Sequence, residues 1–293
     1  MVHLVAHGFT GAHEYYIDHR FGTGKTGRRV AARLRGLGET VKVGSRRGPI
    51  PFDWDDEAGW SAALDGADSA YITFYPDISF PGASERIATL VRAARAGGVG
   101  RLVLLSGRGE PEAVAAEDAV RESGATWTVL RSAWFAQNFS EYFLLEPVLE
   151  GQIALPAGDV AEPFLDLDDL ADVAAAALTR DGHAGRTYEL TGPRLLTFAD
   201  AAAELTRATG RRIDYRPLTP DQYARAAIGA GVPAEEVGPL TDLFGRVLDG
   251  HNAYLTDDVE RVLGREPRDF ADYARSSAAS GVWNPAARAG DIR

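Results

Sequence analysis

The sequence of 293 residues contains no cysteine. That excludes a disulfide framework, thiolate-held zinc, iron–sulfur clusters and a thiol nucleophile. Lysine is almost missing. It occurs only at Lys25 and Lys42, so arginine carries nearly all the positive charge. No stretch approaches the roughly 20 apolar residues that a membrane-spanning helix needs. The N-terminus lacks a basic region followed by an apolar core, so no signal peptide is expected, and a cytoplasmic location fits a chain without cysteine. An excess of positive charge is lacking too: Lys plus Arg total 31 against 42 Asp plus Glu, a net charge of −11. An acidic chain with scattered arginines binds polyanions poorly, so neither nucleic acid nor an anionic membrane is an expected partner.

What is present is ordinary globular stock, 45% hydrophobic with 32 Gly and 15 Pro. Collagen-like and disordered classes are thereby excluded. A chain this long buries roughly 75% of its unfolded surface and needs no covalent staples. Helix and strand patterns alternate from residue 25 to about 190. Lys25–Leu37 puts Val30, Leu34 and Leu37 on one helical face. Strands are expected at Thr40–Ser45, Ala70–Tyr75, Arg101–Ser106 and Thr126–Arg131, and helices at Ser84–Ala96, Pro111–Ser123 and Asp168–Thr179. The strands are continuous apolar runs, as parallel strands are when helices cover both faces. The expected fold is therefore α/β, a doubly wound (Rossmann-type) parallel sheet with a smaller, mainly helical C-terminal lobe. We place a dinucleotide-binding core at 1–150 and a substrate lobe at 151–293, with segments near 160–192 returning to complete the core.

A doubly wound sheet binds ligands at the carboxyl ends of its strands. Gly22-Thr23-Gly24-Lys25-Thr26-Gly27 reads GxGxxG directly before an amphipathic helix. Glycines there allow a tight turn and let a pyrophosphate approach the helix N-terminus. The strand before it is harder to place. Tyr15–Arg20 is too polar for a central strand; Val2–Ala6 is the better candidate, followed by Gly8 and Gly11. The phosphate loop thus reads as split, with Gly8 and Gly11 in its first half, Gly24 and Gly27 in its second, and an insertion over Ala12–Gly24. Gly8–Gly11 also resembles the oxyanion loop of serine hydrolases, but the Gly-x-Ser-x-Gly elbow is absent. His3, His7, His13 and His19 crowd the N-terminus beside Glu14 and Asp18, yet no HExxH spacing accompanies them and no metal site is expected. At the next strand end stand Ser45, Arg46 and Arg47 with no acid. Arginine at that turn accommodates a 2′-phosphate, so NADP(H) is favoured over NAD(H).

The segments VKVGSRRG, RLVLLSGRGE, TWTVLRSAWFAQNFSE and GRTYELTGPRLLTFADAAAELTRATGR resemble, in order, the NmrA-like, atypical short-chain dehydrogenase/reductase proteins of actinobacteria. The resemblance runs over about residues 24–283. It implies NAD(P) binding on a Rossmann-type domain. The family's members include quinone- or carbonyl-reducing enzymes and regulators that sense the dinucleotide. By resemblance, Gly24 and Gly27 are phosphate-loop glycines, Ser45, Arg46 and Arg47 face the 2′-phosphate, and Tyr75, Pro76, Ser106 and Gly107 end strands beside the cofactor. Trp134, Phe135 and Asn138 wall the nicotinamide side. The chain departs from the family at the N-terminal insertion.

Ordinary short-chain dehydrogenases pair a tyrosine acid with a lysine in Tyr-x-x-x-Lys. No lysine follows residue 42, so that pair is absent here. Ser106 and Asn138 are the candidate hydrogen-bond donors to a substrate oxygen, and Trp134, Phe135 and Tyr223 the candidate contacts to a small aromatic substrate. The expected function is an NADP(H)-dependent reductase of a quinone or other aromatic carbonyl, acting as a monomer or homodimer. The alternatives are a redox-neutral isomerase or lyase whose cofactor loop the insertion disrupts, and a dinucleotide-sensing regulator.

Overall fold

In the computed structural model the apolar runs line up as one six-stranded parallel sheet. The structure describes residues 2–6, 24–46, 49–74 and 77–284, with backbone alone for 2–6. In chain order the elements are β1 (Val2–Ala6), α1 (Gly27–Gly36), β2 (Thr40–Gly44), α2 (Trp60–Leu64), β3 (Ser69–Ile72), α3 (Ala83–Ala96), β4 (Arg101–Gly107), α4 (Val114–Arg121) and β5 (Thr126–Ser132). Then come α5 (Asn138–Glu141), α6 (Leu145–Glu150), β6 (Gln152–Leu155), β7 (Ala161–Glu162), α7 (Leu167–Thr179), β8 (Arg186–Leu190) and β9 (Leu196–Thr197). The chain closes with α8 (Phe198–Thr209), β10 (Asp214–Pro217), α9 (Pro220–Gly229), α10 (Ala234–Val247), α11 (Asp258–Leu263) and α12 (Phe270–Ala279).

The sheet order is β2-β1-β3-β4-β5-β8. A single parallel bridge from Ile50 to Gly44 extends it beyond β2, where the doubly wound order places another strand. The Ser45 N–H donates to Ile50 O at 3.1 Å and the Phe52 N–H to Ser45 O at 3.2 Å, so this outer strand is only a stub. Val2–Ala6 is indeed the first strand, paired on both sides. Tyr15–Arg20, the rejected candidate, lies outside the described residues, as does the insertion from residue 12 to 23.

Period-two alternation sorts the strand side chains onto two faces. Ala70, Ile72, Leu102 and Leu104 pack with Ile87 and Leu90 of α3, Val120 of α4 and the ring cluster Phe52, Trp54, Trp60 and Phe74. The Trp54 and Phe74 rings lie 4.9 Å apart, and the Trp60 indole N–H donates to Asp53 O at 2.6 Å. Each fully buried ring of this kind stabilises the fold by roughly 1.5–3 kcal/mol. On the other face, α1 and α7 pack together and are tied by charge. Arg33 reaches Asp168 at 3.1 Å and Asp172 at 2.5 Å, while Arg265 reaches Asp169 at 2.7 Å and Asp172 at 2.8 Å. The acidic start of α7 therefore does more than favour the helix dipole. It receives three arginines, since Arg29 also stands 3.5 Å from Asp168.

The chain divides into two compact units. The first groups residues 1–132, 167–190 and 257–265; the second groups 133–166, 191–256 and 266–293. Segment 133–150, which the sequence reading put with the core, belongs to the second unit, and the returning core segment starts at Leu167 rather than near 160. The reason is its ladder: Leu165 N–H donates to Trp134 O and Ala136 N–H to Leu165 O, both at 2.9 Å. The second unit is mainly helical, as expected, with two small sheets, parallel β6–β10 and antiparallel β7–β9. Its core stacks Phe139, Phe164, Phe198 and Phe270. The Trp283 indole N–H donates to Phe139 O at 2.8 Å, and the Tyr273 hydroxyl to Ser140 Oγ at 2.7 Å. Capping boxes open α8 (Thr197 with Asp200) and α9 (Thr219 with Gln222).

Gly192 sits where backbone meets backbone. A Cβ there would fall on the Phe164 carbonyl oxygen, and only glycine tolerates that approach. Gly192→Ala is expected to lower unfolding free energy by about 2 kcal/mol or more, against little change for a control such as Gly238→Ala, whose Cβ would meet open space. Urea denaturation checks this; equal stability of the two variants would contradict it.

Candidate active site

In the first unit the candidate residues stand at the carboxyl edge of the sheet. Gly24 has φ +51°, a left-handed turn that favours glycine. Thr26 and Gly27 are buried at the start of α1, and no side chain caps the first turn from the Thr26 position. Gly8 and Gly11, the other half of the split loop, lie outside the described residues. At the end of β2, Ser45 is buried and its hydroxyl has no hydrogen-bond partner. Arg46 follows it, exposed; Arg47 lies outside the described residues. Beyond β3 the chain continues through buried Thr73 and Phe74; Tyr75 and Pro76 are likewise outside.

Ser106 is not available to a substrate. Its hydroxyl is buried and donates to Glu117 Oε1 at 2.7 Å. Glu117 also accepts from Arg131 Nε at 2.8 Å and Nη2 at 2.7 Å, and from Arg121 Nη2 at 2.7 Å. Burial alone would raise this carboxyl, but the hydrogen bonds from Arg131 and Ser106, with the charges of Arg131 and Arg121, hold it below the usual carboxylate range. The same contact with Glu117 pushes the Arg131 guanidinium up. Ser106 thus satisfies one lone pair of a buried carboxylate that ties β4, α4 and β5 together. Sequence reasoning missed Glu117 because Glu117-x-x-x-Arg121 looks like an ordinary solvated helix pair.

In the second unit, the chain that leaves β5 carries Trp134, Phe135, Gln137 and Asn138. Phe135 bridges Leu165 and is half-buried. Gln137 Nε2 donates to Asp166 Oδ1 at 2.8 Å, both buried. Asn138 opens α5, buried, with its N–H on Phe135 O at 3.1 Å. Trp134 lies 6.1 Å from the Phe143 ring, 5.8 Å from Phe244 and 5.6 Å from Phe198. Its indole N–H is buried without a partner. Tyr223 of α9 joins the same cluster, edge-on to Phe244 at 5.2 Å. Burial, reinforced by neighbouring Tyr142, pushes the Tyr223 phenol up to about 12. Phe143, Phe244 and Tyr142 were not foreseen; their signal was only a scatter of aromatics over segments distant in sequence. Among the described residues, no group of three or more His, Asp or Glu is arranged to hold a metal ion, and no helix is long and apolar enough to cross a membrane.

No family model matches the chain. Among curated proteins it is 30% identical over 270 residues to the oxidoreductase YesF of Bacillus subtilis, covering 88% of this chain and 93% of that protein. It is 32% identical over 229 residues to the NAD(P)H azoreductase of Xenophilus azovorans, covering 75% and 78%. The chain belongs to the NAD(P)-binding, NmrA-like atypical short-chain dehydrogenase/reductase family. It is an oxidoreductase. Its fold matches the Escherichia coli quinone oxidoreductase QOR2 crystallised with NADPH, with TM-score 0.75 and 22% identity over 94% of this chain and 99% of that one. The Rossmann-type sheet expected of an NmrA-like protein is thus present.

Removing one partner of a buried ion pair strands the others. Glu117→Gln is expected to lower unfolding free energy at pH 7 by about 3 kcal/mol. The folded carboxyl titrates below its unfolded value. Its contribution is therefore complete above the unfolded pKa and is lost as pH falls through the folded one. The gap between wild type and variant should narrow below about pH 4. Denaturation from pH 7 to 3 measures it; a gap constant down to pH 3 would contradict the assignment.

Proposed function

We propose that the protein is an NADPH-dependent reductase of quinones or other flat aromatic carbonyl compounds. The observation that carries the cofactor half is the end of β2. A buried serine hydroxyl without a partner stands there beside an exposed arginine, and the turn Ser45-Arg46-Arg47 contains no acid. These residues fit a ribose carrying a 2′-phosphate. Gly24 and Gly27 fit as well, because glycine permits the left-handed turn at Gly24 and a close backbone approach of a phosphate at the start of α1. In this reading Ser45, Arg46 and Arg47 hold the 2′-phosphate, while Gly8, Gly11, Gly24 and Gly27 approach the pyrophosphate. Tyr75 and Pro76 flank the dinucleotide. When bound, NADPH supplies a hydride.

The substrate half rests on what is missing and on the ring cluster. Without Tyr-x-x-x-Lys, the site lacks the usual acid, worth typically 10²–10⁴-fold. Substrates that accept a hydride without a strong acid are therefore favoured, and quinones and conjugated dyes are of that kind. Trp134, Phe135 and Tyr223 offer flat apolar contacts to such a ring, and Asn138 a polar one. The azo substrate class of the Xenophilus relative and the quinone class of the Escherichia coli neighbour agree with this reading. The redox-neutral and sensor alternatives lose ground because several relatives of the chain are oxidoreductases.

Loss of charge-assisted contacts to the 2′-phosphate costs about 1.5–3 kcal/mol. The double variant Arg46→Ala, Arg47→Ala should therefore bind NADPH roughly 10- to 150-fold more weakly and NADH almost unchanged, by fluorescence titration. NADPH oxidation with menadione, followed at its absorbance band, tests turnover. Equal weakening of both dinucleotides, or no turnover across a quinone panel, would overturn the proposal.

A further inference from the structure

The aromatic cluster of the second unit holds two hydrogen-bond donors and nothing that takes them up. The Trp134 N–H is buried and unpartnered. No hydrogen bond joins the Tyr223 hydroxyl to another described residue, although its ring is packed against Phe244. Around them stand the rings of Phe143, Phe244 and Phe198. Tyr142, edge-on to Phe143 at 5.3 Å, adds a second hydroxyl near Tyr223. An unpaired buried donor costs roughly 1–3 kcal/mol, so the Trp134 N–H is tolerated where a ligand satisfies it, and the half-buried Tyr223 leaves its hydroxyl without a partner among the described residues in the same ring cluster. The complement of a flat apolar surface bearing donors is a flat molecule whose edge carries acceptor oxygens.

Resting on the reductase reading above, we infer that the Tyr223 hydroxyl is the donor that holds and polarises an acceptor oxygen of the aromatic substrate, with Trp134 as the ring platform beside it. Burial keeps the phenol protonated throughout the neutral range, so it donates and does not act as a base. Tyr223 would keep its own proton and stabilise the oxygen on which negative charge grows when a quinone takes up a hydride, the balancing proton coming from water. The role that Tyr-x-x-x-Lys fills elsewhere is thereby taken, in part, by a phenol on α9.

The test is binding, read by quenching of intrinsic tryptophan fluorescence without NADPH. Menadione is titrated into wild type, Tyr223→Phe and Trp134→Phe, with 2-methylnaphthalene as the same ring system without oxygens. Tyr223→Phe keeps the ring on Phe244, so folding is retained. The expected result is about tenfold weaker menadione binding by Tyr223→Phe, constant from pH 6 to 9, with 2-methylnaphthalene and NADPH affinities unchanged. Trp134→Phe should weaken both ring ligands. Unchanged menadione binding by Tyr223→Phe overturns the inference, as does 2-methylnaphthalene binding as tightly as menadione. If wild type binds menadione through Tyr223 but never oxidises NADPH, the reductase reading fails and this one stands. If wild type turns menadione over and Tyr223→Phe does so with the same KM and kcat, the reverse holds.

Discussion

A parallel sheet cannot leave either face bare, because each crossover returns over one face and each strand must bury residues on both. That constraint organises the first unit. It demands α2, α3 and α4 on one side and α1 and α7 on the other. It also fixes where chemistry can sit. Faces covered by helices offer no opening, so ligands meet the sheet at the carboxyl ends of its strands. Ser45, Arg46 and Ser106 all stand at such ends. The constraint reaches beyond the sheet, for α7 must be fixed across α1, and Arg33 and Arg265 do this by sharing Asp172.

The edge itself is held by charge. Glu117 lies inside the first unit with two guanidiniums and one hydroxyl on its oxygens. Isolated ions of this kind are costly to bury, and the pairing offsets that cost only while every partner is present. Arg131 reaches a second carboxylate, Glu189 of β8, at 3.6 Å, and Arg108 reaches the same group at 3.3 Å. The ends of β4, β5 and β8 are therefore held in register by polar groups where apolar packing stops. A serine placed among them serves rigidity, which is why Ser106 is a positioning element and not a donor to substrate.

The sequence was legible where a residue's fate follows from its near neighbours. Arg101–Ser106 is a continuous apolar run because both faces are covered, and Ile87, Leu90, Val91 and Ala94 repeat at helical spacing. β8 was not legible as a strand: Arg186–Leu190 alternates exposed and buried residues at the sheet's edge, so it lacks the apolar run of its neighbours. The antiparallel pair in the second unit escaped notice because β7 and β9 are two residues each. At the candidate site, residue type alone singled out Gly24, whose φ is +51°, and Ser45 and Trp134, whose polar atoms are buried without a partner. Partners were not legible. That Ser106 answers to Glu117, 11 residues on, is set by the turn between β4 and α4, which no local pattern encodes.

Chemistry and architecture agree most closely in what each leaves unfilled. The chain lacks a lysine to sharpen a tyrosine acid, and the second unit carries donors without acceptors on a wall of rings. A strong acid matters most when the hydride acceptor is an isolated carbonyl whose oxygen must be protonated as charge forms. A quinone spreads that charge over a conjugated system, and a neutral donor suffices to steady it. On the proposed reading, a site with unsharpened phenols is matched to conjugated acceptors and poorly matched to aliphatic ketones. The proposed discrimination between the two classes rests on the absence of one residue type as much as on the rings present.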